Sequence, residues 1–535
     1  MASDYRDVDP AGSDELSIET EPFGPKQGTI DRVRDALEER PEVRDRLQET
    51  EHRLLAFELV EPPRKLEKPQ RPDSYRAIYY DYTNNRSVVV DGRFADQERL
   101  TVTESAAQPL PTAEEFDAAV EILAQDSVFR SAFHKRLVQP YPAMPPVIEL
   151  ELPDGRIERT LAVGLLPTEE NRYGRHEIVG VNMIQRRVDR YDEGAPATAR
   201  ADAGTCGAPV SAGQPTTSRG VAGQVWITVV QAGTVLWRFL AVRPSASSGY
   251  WGSGVELRYL EYRGRRVLYQ AHVPILNVLY DGNACGPYRD WQWQEGMLQA
   301  NGNSVAPGFL LCPTPAKTIL DTGSDVGTFL GVAIYVAGQE VVLVSEMQAG
   351  WYRYISEWRL HSDGTIRPRF GFDATSSSCV CNRHHHHVYW RLDFDIETAG
   401  DNVIREFNNP PIIPGTNWHT KLYEIMRLRS PAHNRQWRVE NASSGRGYTI
   451  APGPGDGTAA GDSYAKGDLW FLRYHPDEID DHPITGTEIQ IDKYKNGEPL
   501  VNQDVVVWYG AHFTHDVSGP PVNHVVGPNL YPHEW

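Results

Sequence analysis

The sequence predicts a mainly β protein, a large β-sandwich preceded by two small α+β domains. Three observations carry this. From Val221 to the C-terminus nearly every patterned segment reads as a short strand bounded by Gly and Pro turns, and helix signals are almost absent. Before Glu193, two stretches each begin with helical periodicity and continue into strands. Tryptophan and tyrosine are plentiful, at 13 and 25 residues, which suits pleated surfaces.

In chain order, residues 1–26 are acidic and turn-rich and are expected to form a flexible arm. The first α+β domain spans 27–108. Thr29 opens a helical pattern in which Ile30, Val33, Leu37, Val43 and Leu47 recur near helical spacing, with a break at Pro41. Strands follow at Leu54–Val60, Tyr75–Tyr82 and Ser87–Val90, the last two joined across the turn pair Asn84-Asn85. The second domain, 109–192, repeats this order. Thr112 and Glu115 form a capping-box pair, and Phe116, Ala119, Val120 and Leu123 line one helical face. Its strands are expected at Val147–Leu152, Arg159–Leu165 and His176–Ile184. Residues 193–220, rich in Ala, Gly, Pro, Ser and Thr, read as a linker. The sandwich takes 221–535, with strands at Val225–Val230, Val235–Val242, Val341–Val344 and Val505–Tyr509.

Composition narrows the function. With 72 acidic against 53 basic side chains, the net charge of −19 argues against nucleic acid as a partner and suits either a cationic small-molecule substrate or plain solubility. The longest apolar stretch, Val332 to Val344, is broken by Gln339 and Glu340, so no membrane span is expected. The segment Met1 to Asp7 lacks the basic and apolar regions of a secretion signal, and the expected location is cytoplasmic. The five cysteines (Cys206, Cys285, Cys312, Cys379, Cys381) are an odd number in a long chain and do not resemble a disulfide framework.

The chemistry is expected around His384-His385-His386-His387, which runs into Val388-Tyr389-Trp390. On a strand, side chains two residues apart project from one face, so His384 and His386 can converge on a metal ion. The plain alternative is a solvated polar loop. A third donor is available beyond the strand Asp504 to Tyr509, at His512 or His515, and three neutral imidazoles suit copper or zinc.

These residues resemble the copper amine oxidases. His384-His385-His386 with Arg391-Leu392-Asp393 is similar to that family's copper-ligand strand, and Asp504-Val505-Val506-Val507-Trp508 to the strand leading to its third ligand. An ungapped count puts that ligand at His515, with His512 the second choice. Arg435-Gln436-Trp437-Arg438-Val439-Glu440-Asn441, Gly447-Tyr448-Thr449-Ile450 and Pro452-Gly453 resemble another stretch between the two ligand strands. Gly350-Trp351-Tyr352-Arg353-Tyr354, followed by Trp358 and Asp363-Gly364-Thr365-Ile366, stands where the family carries its Asn-Tyr-Asp/Glu-Tyr motif.

The resemblance implies copper at His384, His386 and His515, Tyr352 as precursor of topaquinone, Asp290 as catalytic base and Tyr280 as the tyrosine that hydrogen-bonds the quinone. The implied reaction is oxidative deamination of a primary amine by dioxygen, giving an aldehyde, ammonia and hydrogen peroxide. A dry pocket walled by Trp291 and Trp293 would raise the pKa of Asp290 for proton abstraction; a turn residue is the alternative. The resemblance also implies a homodimer. Asp393, Asp395 and Asp504 resemble a peripheral calcium-type site, against solvated strand residues.

The chain also departs from the family. Trp351 and Arg353 replace the residues that flank the modified tyrosine, Gln292-Trp293-Gln294-Glu295-Gly296 replaces the motif beside the aspartate, and Asp516-Val517-Ser518-Gly519 follows His515. These departures motivate two alternatives: a copper enzyme that oxidises or oxygenates a specialised metabolite with Tyr352 unmodified, and a non-catalytic, metal-stabilised binding protein. Arg353 either faces a substrate carboxylate or, alternating with Tyr352, points outward. Cys379-Val380-Cys381 is either a thiolate pair for copper or redox chemistry or two surface or core cysteines.

Overall fold

A computed structural model describes residues 15–60, 65–148, 157–168, 171, 177–190, 206–209, 216–281, 285–377, 379–459, 463–481, 488–516 and 525–535. In the first module, helices Gln27–Ala36 and Pro41–Leu47 lie on a four-stranded antiparallel sheet of His52–Val60, Ser74–Asp81, Arg86–Arg93 and Thr101–Ser105. The expected stripe of Ile30, Val33, Leu37, Val43 and Leu47 is buried against Phe57, Tyr75, Tyr79, Val88 and Val90. Pro41 sits at the first turn of the second helix, where its missing N–H costs nothing. Asn85 takes the left-handed conformation, φ 53°, in the turn between the second and third strands.

The second module packs helix Ala113–Gln125 on the strands Val138–Val147, Thr160–Pro167, Glu177–Asn182 and Arg187–Arg190. Thr112 caps the helix by accepting the Glu115 backbone N–H at 3.2 Å. The Glu115 carboxylate is engaged elsewhere: it is fully buried and takes Arg159 at 2.8 and 2.6 Å and the Tyr82 hydroxyl at 2.6 Å. Because Tyr82 belongs to the first module, this buried group ties the two modules together. The strand expected at Val147–Leu152 instead spans Val138–Val147, and residues 149–152 lie outside the described residues. Four prolines between Pro140 and Pro146 mask its strand pattern in the sequence.

The described residues from Gln224 on, together with Leu16–Phe23, form two large sheets, one of 10 strands and one of 12. The first runs in the spatial order Leu16–Phe23, Gln224–Gln231, Thr234–Val242, Glu256–Tyr262, Arg265–Tyr280, His384–Phe394, Val505–His515, Leu469–Arg473 and Ile425–Arg427, with Pro287–Arg289 off its path. The second contains Glu340–Ala349, Tyr352–His361 and Ile366–Ala374 near its centre. One continuous core joins Val225, Ile227, Leu257 and Val388 of the first sheet to Leu343, Tyr354, Phe370 and Ile450 of the second, which makes the pair a sandwich.

Two expectations are corrected. Leu16–Phe23, placed in the flexible arm, is the edge strand of the ten-stranded sheet, paired antiparallel with Gln224–Gln231 and burying Leu16; the acidic residues that gave it an arm-like composition alternate outward. Residues 1–14 of the arm, and most of the linker 193–220, lie outside the described residues. The cysteines do form disulfides, Cys206–Cys381 and Cys285–Cys379, and the odd one out is buried Cys312. The pairs are 175 and 94 residues apart, separations set by tertiary packing and invisible to spacing rules. Cys379 and Cys381 are therefore neither a copper-binding thiolate pair nor isolated core residues.

Candidate active site

The histidine tract opens the strand His384–Phe394, which pairs with Val505–His515 through eleven consecutive residues without a register shift. That register sets His384 opposite His515 and His386 opposite Phe513 on one face, and His387 opposite His512 on the other. His384 and His386 are fully buried, with ring centroids 5.0 Å apart, and His384 lies 4.8 Å from His515. His512 instead meets His387 at 3.1 Å and Asp468 at 3.1 Å. The sheet thus places His515, and not His512, beside His384 and His386.

His384 Nδ1 donates to the Asn382 carbonyl at 2.7 Å, which leaves Nε2 as the electron-pair face, and Nε2 lies 3.3 Å from His515 Nδ1. That separation suits two nitrogens on one ion at bonds of about 2.0–2.1 Å. Burial holds the His515 imidazole below its usual pKa and so in the neutral form that binds metal. His386 is held between Phe372, stacked at 3.9 Å, and Phe513 at 5.2 Å. A donor set of three imidazoles fits copper.

The opposite wall comes from the second sheet. The hairpin between Glu340–Ala349 and Tyr352–His361 has the two-residue loop Gly350-Trp351, in which Gly350 adopts φ 57°, the left-handed conformation such loops favour. Tyr352 emerges buried, its ring 5.0 Å from His386 and 5.7 Å from His384. Tyr280, which pairs with His384 across the neighbouring strands, shares a hydrogen bond between hydroxyls with Tyr352 and receives the Trp351 indole N–H at 3.0 Å. Burial keeps the Tyr352 phenol protonated far above its usual pKa.

Asp290 follows the short strand Pro287–Arg289, is 5% exposed, and accepts a hydrogen bond from the Tyr354 hydroxyl. Burial raises its pKa to about 7, against the opposing pull of that hydrogen bond. Asp290, Trp291, Trp351 and Tyr352 line one small cavity of about 10 Å³, near the smallest that holds a water. Trp293 is not among its lining residues and packs against Gly252. Tyr141 of the second module also lines the cavity, 5.0 Å from Trp351 and in hydroxyl contact with Tyr288 at 3.3 Å.

Sequence reasoning missed Tyr354 and Tyr141. Tyr354 was within reach, since a strand places it on the face of Tyr352; Tyr141 gives no local signal, because it arrives from another module. Arg353 alternates away from the cavity and is buried in a bidentate pair with Asp325 at 2.7 and 3.0 Å, so it does not offer its charge to a substrate carboxylate. Asp393, Asp395 and Asp504 do converge, but they are not solvated strand residues, and the centre of their cluster holds the Lys65 ammonium at 2.6, 2.6 and 2.5 Å. With that cation seated, the trio does not fit calcium.

No protein-family model matches the chain, and no curated protein matches it by sequence. Solved structures do. The chain is similar to the Pichia pastoris lysyl oxidase, at TM-score 0.62 and 13% identity over 96% of this chain and 91% of that one. It is similar to an Aspergillus nidulans amine oxidase, at TM-score 0.57 and 13% identity over 96% and 88%. It is also similar to a copper-containing benzylamine oxidase from Hansenula polymorpha, at TM-score 0.53 and 14% identity over 98% and 94%. The chain has the copper amine oxidase fold, with its β-sandwich and its preceding α+β modules.

Proposed function

We propose that the protein is a divergent copper amine oxidase that deaminates a primary amine at the expense of dioxygen. One observation carries the reading: a buried phenol, Tyr352, lies between a cluster of imidazoles on one sheet and a buried carboxylate of raised pKa lining the same cavity. His384, His386 and His515 would hold copper, which with dioxygen supplies the oxidation of Tyr352 to topaquinone and the redox chemistry that follows. Tyr280 fixes the Tyr352 hydroxyl through its own. Asp290 takes the proton from the substrate carbon next to nitrogen, a role suited to a base poised near neutrality. Tyr141 and Trp351 give that cavity apolar walls beside the transfer.

A second reading is favoured by Trp351. Its indole occupies the position beside Tyr352 and donates to Tyr280, bracing the phenol in its unmodified form; the copper site would then oxidise or oxygenate a specialised metabolite directly. A homodimer belongs to the first reading and is supported by the exposed apolar side chains Ile412, Ile413, Leu422, Tyr423 and Leu428. The two disulfides support an oxidising compartment rather than the cytoplasm.

Aerobic loading of the purified protein with copper, followed by mass measurement of the Tyr352 peptide, tests the first reading. Added oxygen on that peptide, with phenylhydrazine-reactive visible absorbance, is the expected result; stoichiometric copper with an unchanged peptide mass selects the second. A folded protein that takes up no copper refutes both and leaves a non-catalytic binding protein.

A further inference from the structure

We propose that Lys65 is a built-in cation that occupies a site for a divalent metal ion and, by occupying it, closes it. The inference concerns a site at the far end of the ligand strand and does not depend on the activity proposed above. Asp393 lies in His384–Phe394 and Asp395 one residue past its end, and Asp504 immediately precedes Val505, the partner of Phe394. The three carboxylates offer oxygens all within 4.8 Å of one another, the arrangement a hard cation takes.

What fills the arrangement is an ammonium. Lys65 Nζ lies 2.6, 2.6 and 2.5 Å from the three carboxylates, with its side chain 11% exposed. Neither Asp393 oxygen has an aligned hydrogen-bond donor, although the residue is fully buried, so its charge is met by Lys65 and by Arg391 at 3.6 Å. An unmatched buried carboxylate is costly, and the cluster requires a cation. The remaining walls are aromatic: Tyr474 and Tyr269 present ring faces to Nζ at 4.3 and 5.2 Å. Such faces attract an ammonium and give calcium no oxygen ligand. Lys65 belongs to the connection between His52–Val60 and Ser74–Asp81 of the first module, so the same contact pins that module to the sandwich.

The test is calcium titration of the full-length protein and of Lys65→Met by calorimetry. Wild type is expected to show no calcium binding that Asp504→Asn abolishes. Lys65→Met is expected to gain one calcium per chain that wild type lacks, and the added Asp504→Asn to remove it. Calcium binding by wild type at this cluster, or a folded Lys65→Met that gains none, overturns the proposal. Should Lys65→Met fail to fold, reductive methylation of native wild type decides: Lys65 is expected to stay protected with and without millimolar calcium, whereas modification as fast as Lys68, or calcium-induced exposure, overturns it.

Discussion

The Tyr354 hydroxyl donates to the Asp290 carboxylate, so the proposed base is tethered to the strand that carries the proposed cofactor tyrosine, two residues beyond it. Burial sets the Asp290 pKa to about 7 while this bond lowers it. Amine turnover is therefore expected to rise with pH through about 7, as the carboxyl ionises. Tyr354→Phe removes the lowering influence and is expected to move that limb of kcat/KM to higher pH with the metal content unchanged. A pH–rate profile of both proteins checks it.

The same burial makes Asp290 a stability burden. A carboxyl whose folded pKa exceeds its unfolded value, here about 7 against 3.8, binds more protons folded than unfolded between those values, so stability falls as pH rises across that window. Asp290→Asn is expected to abolish turnover yet be more stable than wild type at pH above about 7, by at most ~4 kcal/mol. Thermal unfolding at acidic and alkaline pH measures the difference, which is expected to vanish below the ordinary aspartate pKa.

Replacing His384, His386 or His515 by Ala is expected to lower copper stoichiometry to near zero. His512→Ala, on the other face, is expected to keep copper while destabilising the fold, because buried Asp468 keeps Arg429 but loses its imidazole partner. Metal analysis of the four dialysed variants separates the faces.

Arg353→Met removes the bidentate guanidinium from buried Asp325 and is expected to cost about 3–5 kcal/mol. The double variant with Asp325→Leu is expected to recover most of it. Denaturant unfolding checks both; copper uptake is expected to be unaffected throughout.

Peptide mapping without reductant is expected to find Cys206 linked to Cys381 and Cys285 to Cys379, with Cys312 as the one free thiol.

The histidine strand and its partner were legible in the sequence because period-2 alternation and the Asp504 to Tyr509 run are local signals. The choice between His512 and His515 was not, since it turns on which strand face each imidazole shares with His384, a matter of register. The apolar stripe of the first helices was equally plain, whereas the strand Val138–Val147 was hidden by prolines that read as turns. Lys65 and Tyr141 lay beyond sequence reasoning for a common reason: each completes a cluster whose other members sit hundreds of residues away, or in another module.

The unbroken ladder between His384–Phe394 and Val505–His515 has a mechanical corollary. Its two ends carry different centres, imidazoles at one and carboxylates at the other, so a single inserted or deleted residue in either chain segment would misalign whichever centre lies past the lesion and turn that centre's side chains to the wrong surface. Drift in length is therefore penalised at both ends of one ruler, while the bends elsewhere in the sheet remain at liberty to change.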